Sequence, residues 1–492
     1  MAPDPEQRPI TESARRRLPM ALLVVLWAAL IGTLALDAVR RGRERAWIDP
    51  VLAARAMIER DHVDPPPDER MRDALLAATA ASTGDPFTTW VPARAEDRFN
   101  KDLHGTYVGI GAEVDTLDRH LLIVTPLEDS PALEAGLMAG DLVLAIDGAS
   151  TLDRDPIECG TMLMGAEGTP VTLRVRHPDG SERDIVVTRR RIVTQSVKGA
   201  HREGDRWVFR LPPAGDRGND PTSAPPGAPS VTSPGAAPSP GDIGYVRITQ
   251  FTERTLGELT AALGELAAQG PDEAPIDGLV VDLRFNGGGS LGSAIGVADL
   301  FIDRGVIVGV RPRRGAVEIV EATADNDVLG GVPMVVLVNG ASASASEVVA
   351  GALQDHRRAQ ILGERSFGKG SVQEVRRLPG DAGLLKLTVA RYELPSGRSI
   401  DRGVHPDDWG IVPDPGLDVP MTTEQYRDMF ANRRRFDSIG AHPVDGDRRA
   451  SWGDPRWIRE VVGDEQLARA IELLRGAPVV TEPGTFSAPT PR

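Results

Sequence analysis

The chain of 492 residues contains a single cysteine, Cys159, so no disulfide can form within it and no CxxC metal pair exists. A lone cysteine of this kind is expected as a small buried apolar residue. The eight histidines are scattered, and none sits in an HExxH or HxxxH pair, which argues against a zinc hydrolase and leaves no metal site to assign. Positive charge is outweighed: the formal net charge is -15, which excludes nucleic acid as the main partner. Aromatic residues make up only 4%. With 41% apolar and 26% charged residues the rest is ordinary for a globular protein, and the length suggests two to four domains.

Only one long hydrophobic run is present. Residues 18–39 read LPMALLVVLWAALIGTLALDAV, with one acid, Asp37, near the end. A helix of this length spans a bilayer. Arg15, Arg16 and Arg17 precede it and Arg40, Arg41, Arg43 and Arg45 follow, so the flanking charge does not set the orientation. The expectation is an uncleaved membrane anchor, with a cleaved signal segment as the rival, and with everything downstream on one side of the membrane.

Beyond it, residues 46–100 form an N-terminal helical region: WIDPVLAARAMIERDHV and DERMRDALLAATAAS carry helical apolar spacing, split by the prolines at 65–67, and Gly84-Asp85-Pro86 stops the second helix. Residues 101–190 change to short β-rich runs (YVGIGAEV, HLLIVTPL, DLVLAIDG, VTLRVRH, RDIVVTR) with two short helices, SPALEAGL and DPIECGTMLMG, which predicts a compact β domain. Residues 212–242 are rich in Pro, Gly, Ser and Ala and read as a disordered insert. From 191 to 420, continuous apolar runs such as GLVVDLRF and PMVVLVNG alternate with helical patterns, the mark of an α/β core with strands buried on both faces. Residues 421–492 form a less regular extension in which DEQLARAIELLRG reads as a surface helix.

Three segments carry chemistry. In VNGASASASEVVAGALQD (338–355) an apolar strand runs through small residues into a helix. A serine at such a junction is exposed to substrate, and the amides of the helix start can stabilise an oxyanion; taken alone, the alternating Ser and Ala also fit a helix cap in tight packing. In GERSFGKGSVQE (363–374) Lys369 lies between two glycines. It is an exposed loop charge in isolation and a candidate general base in company with the serine, provided burial brings it to the neutral form. In VDLRFNGGGSLG (281–292) three glycines expose backbone N–H groups. A phosphate loop is excluded because no GK[ST] follows at the required spacing. The chain also lacks the GxSxG of the α/β-hydrolase esterases.

Together these segments resemble the C-terminal processing peptidases, or tail-specific proteases, over about residues 46–475. SASASE followed by FGKGSVQ, with Ser344 and Lys369 25 positions apart, carries the resemblance. It implies an α/β (α+β) multidomain protein: a ClpP/crotonase-like protease core, an inserted PDZ β domain at 101–190 and an N-terminal helical segment. It also implies Ser344 as nucleophile, Lys369 as general base and Gln373 as the residue orienting the lysine. The oxyanion donors would be the amides of Ala345 and of a glycine in the 287–289 turn, taken as Gly288; Gly287 stands where the family has a proline. TYVGIGAEV is similar to the carboxylate-binding loop of PDZ domains, which places Gly109, Ile110, Gly111 and Ala112 around a substrate's terminal carboxylate. The expected activity is that of a serine endopeptidase cleaving proteins near their C-termini, without metal or cofactor. Its partners would be proteins with exposed C-terminal tails and the membrane, and a homo-oligomer or adaptor is compatible with it. Residues 1–17 would be cytoplasmic and the catalytic part would lie on the periplasmic side, or be exported. A membrane-anchored, non-catalytic PDZ scaffold is the alternative.

Overall fold

The computed structural model describes residues 27, 33, 46–96, 106–127, 129–213, 241–267, 276–323, 328–404, 407–439 and 452–476. The hydrophobic run 18–39, apart from Trp27 and Thr33, the interior of the 212–242 insert and the closing residues 477–492 lie outside the described residues. The chain divides into two compact units, Met1–Thr83 and Gly84–Arg492.

In the first unit helices cover 46–61 and Asp68–Ala81, separated by the predicted proline break. Asp68 and Glu69 occupy the first turn of the second helix, where the partial positive charge of its N-terminus favours acids. Arg55 reaches across the break to Asp68 at 2.7 Å. Among the described residues no helix is long and apolar enough to cross a membrane.

Among the described residues of the region 46–100, helix runs to Ala81 and resumes only in the 3-10 turn Ala93–Ala95 and at Glu96, with a turn and a strand between. The correction has a local cause. Gly84 adopts φ +70°, and the Asp85 carboxylate then takes the Phe87 N–H at 3.0 Å and the Thr88 hydroxyl at 2.7 Å, closing a turn. The β-branched and aromatic residues after it form the strand Thr89–Val91, paired antiparallel with Leu384–Lys386.

The core of the second unit is a parallel sheet ordered Asp242–Ile248, Ile276–Asp282, Met334–Val338, Gln360–Gly363. Side chains alternate across a strand, so each apolar run feeds two cores. Val246, Ile248, Leu279, Val281, Val336 and Val338 pack beneath the helices Thr255–Ala267, Leu291–Asp299 and Ala345–Asp355. Ile243, Tyr245, Val280, Val335 and Leu337 face the other way, onto Leu467, Ile471 and Leu474.

The helix Glu465–Gly476 is therefore not the surface helix expected from its sequence. Gln466, Leu467, Ala468, Ala470, Ile471 and Leu474 are buried, and a Cβ built on Gly278 would stand 2.9 Å from Leu474. Its polar N-terminus is buried because it is paired. Arg284, at the end of the strand Ile276–Asp282, donates to Asp464 at 2.8 Å, to Gln466 at 3.0 Å and to Asp282 at 2.7 and 2.9 Å. Burial opposes ionisation of Asp282, but Arg284 outweighs it and holds that carboxyl down to about 2.

A second, antiparallel sheet has Leu384–Glu393 at its centre, with Thr89–Val91 and Val306–Pro312 along one edge and Ser371–Arg377 along the other. The segment with Lys369 leads into this sheet. The β domain is an antiparallel sheet ordered Ala112–Leu117, His120–Pro126, Leu142–Ile146, Pro170–Arg176, Glu182–Thr188, with short helices Pro131–Glu134 and Pro156–Leu163. Cys159 is buried in its core, and burial pushes its thiol up.

Candidate active site

Ser344 lies between the strand Met334–Val338 and the helix Ala345–Asp355, as its N-cap residue. The small residues around it stitch this junction to the glycine turn of the neighbouring strand. The Ser342 hydroxyl donates to Leu283 O at 2.8 Å, the Ala343 N–H to Asn286 O at 3.0 Å and the Ser346 hydroxyl to the same oxygen at 2.8 Å. Held this way, Ser344 has φ +56° and ψ −113°, a conformation that costs a non-glycine residue about 1–3 kcal/mol.

Gly288 makes the close approach possible. It has φ +104°, and a Cβ there would stand 2.8 Å from Ala343 O, 2.9 Å from Ser344 Cβ and 3.1 Å from Ala345 N. The amide of Ala345 has no partner among the described residues, as suits an oxyanion donor at a helix start. The amide of Gly288 is already given to Asn286 Oδ1 at 2.9 Å.

Lys369 is brought to the same place by Glu347, which is fully buried one turn into the serine helix. The Glu347 carboxylate accepts from the amides of Ser344 and Lys369 at 2.8 Å each, from Gly368 N–H at 2.6 Å and from the Ser366 hydroxyl at 2.5 Å. Burial raises the Glu347 carboxyl, and these four donors pull the other way. The Lys369 side chain is half-buried. Burial, then the charge of Lys386, brings its amine down to about 8, against the pull of Glu347 and Asp85.

The Lys369 amine makes no hydrogen bond to the Ser344 hydroxyl among the described residues; it sits 4.8 Å from the centre of the Phe87 ring. Burial raises the Tyr392 phenol, against a hydrogen bond with the Ser344 side chain. Gln373 donates to Ser371 Oγ at 2.8 Å and to Thr388 Oγ1 at 3.3 Å, beside the lysine and not onto its amine. Sequence reasoning did not single out Glu347, although Ser-x-x-Glu is the spacing of a capping box. Phe87 lies in GDPFTTWVP, a segment that resembles a landmark of the C-terminal processing peptidases, but only tertiary pairing brings it and Tyr392 here.

In the β domain, Gly109, Ile110 and Gly111 are buried at the start of the edge strand. Gly111 has φ +76°, and a Cβ there would stand 2.5 Å from Ser130 Cβ, so this turn requires glycine. The Ala112 amide is bonded to the Tyr107 phenol, which burial pushes up to about 12. Among the described residues the strand Ala112–Leu117 pairs on one side only, with His120–Pro126.

A serine in a strained strand-to-helix turn, a glycine turn pressed against it, a half-buried lysine and an edge-stranded β module are compatible with a serine peptidase that carries a PDZ domain. The profile of Peptidase family S41 matches residues 242–408, and that of a PDZ domain residues 122–177. The chain is 33% identical over 422 residues to a carboxy-terminal-processing protease of Bartonella bacilliformis, covering 85% of this chain and 86% of that one. It is 29% identical over 380 residues to the carboxy-terminal processing protease CtpA of Bacillus subtilis, covering 76% of this chain and 72% of that one. A solved structure of the photosystem II D1 C-terminal processing protease is similar with a TM-score of 0.42 and 27% identity, over 83% of this chain and 90% of that one. The chain belongs to peptidase family S41, among the C-terminal processing serine proteases.

Replacing Gly288 by alanine would drive a methyl group into Ser344 Cβ and Ala343 O. Displacing a reacting group by about 1 Å costs about 10²-fold in rate, so Gly288→Ala should lower kcat by about that factor in a peptide-cleavage assay. A kcat within twofold of the wild type would contradict the contact.

Proposed function

We propose that Ser344 and Lys369 form the catalytic pair of this peptidase and that the PDZ domain presents the C-terminal tail of a protein substrate to them. The observation that carries the reading is the lysine brought to about 8 by burial while its backbone shares one carboxylate with the backbone of Ser344. With a value near 8, about one amine in ten is neutral at pH 7. Neutral Lys369 takes the proton of the Ser344 hydroxyl as that oxygen attacks the peptide carbonyl. The oxyanion that forms is met by the Ala345 amide and by the glycine turn, where Gly288 lies nearest and must leave Asn286 Oδ1 to serve. Protonated Lys369 then gives its proton to the leaving amine. Water attacks the ester, returns its proton through the lysine and releases Ser344. Gln373 fixes the strand Leu384–Glu393 beside the lysine through Thr388.

For the PDZ domain, the tight Gly109–Ala112 turn and the strand Ala112–Leu117, open on one side, support capture of a tail as an added strand with its carboxylate at the turn. For location, we propose that residues 18–39 anchor the chain with the peptidase outside the cytoplasm. Their length and apolarity support the anchor.

A peptide ending in a free carboxylate, assayed from pH 5 to 10, tests the catalytic reading. The rate should climb tenfold per pH unit below about 8 and level off above it, because the protonated amine cannot accept the serine proton. Ser344→Ala and Lys369→Ala should each abolish cleavage with unchanged circular dichroism, and amidating the peptide's C-terminus should raise KM. Near-normal cleavage by Lys369→Ala would refute the pair. Fractionating cells with alkaline carbonate tests the anchor: the full-length protein should stay with the membrane pellet, and its release as a shortened soluble chain would point to signal cleavage instead.

A further inference from the structure

The Lys369 amine and the ring of Phe87 come from positions 282 residues apart, yet both are held in place by backbone bonds. On the ring side, the Phe87 N–H is given to Asp85 Oδ1, the Thr88 hydroxyl is given to Asp85 Oδ2, and Thr88 Oγ1 accepts the Thr388 N–H at 3.2 Å. Phe367 meets the Phe87 ring edge-on, with 6.4 Å between centroids. On the lysine side, the Glu347 carboxylate pins the amides of Gly368 and Lys369. Only the four-carbon stem of the lysine is left to move. Its amine lies 4.8 Å from the ring centre, within the range of a cation–π contact.

The groups facing that amine come from every element around it: Asp85 in the turn before the ring, Glu347 in the serine helix and Lys386 in the central strand of the antiparallel sheet, with the Tyr392 phenol of the same strand at Ser344. The two carboxylates favour the charged amine and Lys386 opposes it. An aromatic face attracts an ammonium through its quadrupole and has little hold on a neutral amine. The contact therefore discriminates between the two protonation states of one side chain.

We propose that Phe87 is a positioning residue for Lys369: its ring docks the protonated amine away from the Ser344 hydroxyl and releases the neutral amine to it. The inference rests on the reading of Lys369 as the base. It gives the segment of residues 84–90, through the Phe87 ring, a part in setting the pH at which the enzyme works.

The chain has only four lysines, so the modification of Lys369 can be followed on its own peptide by mass spectrometry. In a Ser344→Ala background, the rate of acetylation of Lys369 by dilute acetic anhydride against pH gives the midpoint of its titration without relying on catalysis. Phe87→Leu keeps apolar bulk and loses the aromatic face, so the midpoint should fall by about half to one pH unit. In the active enzyme the acid limb of kcat/KM should fall with it. Phe87→Trp, with the stronger ring, should move both upward, and Phe87→Tyr should restore the wild-type values. The Trp and Tyr variants decide the matter if the Leu variant does not fold. A midpoint that stays put or rises in Phe87→Leu, or ignores Trp, overturns the role of Phe87 alone. A midpoint that follows the ring while Lys369→Ala still cleaves normally sinks the base assignment, and the positioning role with it.

Discussion

The carboxylate of Glu347 ties together the two stretches of chain that carry Ser344 and Lys369, which backbone bonds such as Phe367 N–H to Ser342 O at 2.9 Å have already brought side by side. It lies on the first turn of the helix after Ser344, fully buried, and accepts four hydrogen bonds from the two segments that carry the serine and the lysine. An unpaired carboxylate at that depth would be driven to its neutral form, so the four donors are what make the position tolerable. In return it fixes the backbone of Ser344 and of Lys369 to one atom, Oε2, within 2.8 Å of each. Everything the site does, from the strained serine to the half-buried amine, is arranged around that shared atom.

A second constraint acts from the other side of the sheet. The turn Asn286–Gly289 is pressed on Ser344 from below, and it follows directly on Arg284, whose guanidinium is locked between Asp282 and Asp464. The C-terminal helix thus braces the strand end that delivers the glycine turn. Removing one partner of such a buried pair leaves the others charged and unmatched, a loss of about 3–5 kcal/mol. The site accordingly draws on residues from 85 to 466, although Ser344 and Lys369, the proposed reacting groups, lie close together in sequence.

That distribution sets what could be read from sequence. GLVVDLRF and PMVVLVNG are legible as buried strands because both their faces are covered, which leaves an unbroken apolar run. Ser344 and Lys369 are legible as candidates because each sits among small residues where backbone must come close. The helix Glu465–Gly476 was misread because Asp464 and Gln466 look like surface residues, and only Arg284, some 180 positions upstream, makes their burial possible. The bonding of Gln373 and Gly288 is not visible in their spacing either. Thr388 and Ser371 take the amide of Gln373, and the Asn286 side chain takes the N–H of Gly288. The partner of Phe87 is invisible for the same reason as those of Arg284: it is brought by the antiparallel sheet, through the pairing of Thr89–Val91 with Leu384–Lys386.

Hydrogen exchange on a Glu347→Gln variant tests the role of that carboxylate most directly. A glutamine presents an N–H₂ group where one oxygen now accepts, so two of the four donors lose their partner. The account predicts that the amides served by the replaced oxygen lose protection, Ser344 together with Lys369 if it is Oε2 or Gly368 if it is Oε1, while the strands Ile276–Asp282 and Met334–Val338 keep theirs, and that peptide cleavage falls in step. Unchanged protection at those three amides, with cleavage near the wild-type rate, would contradict it.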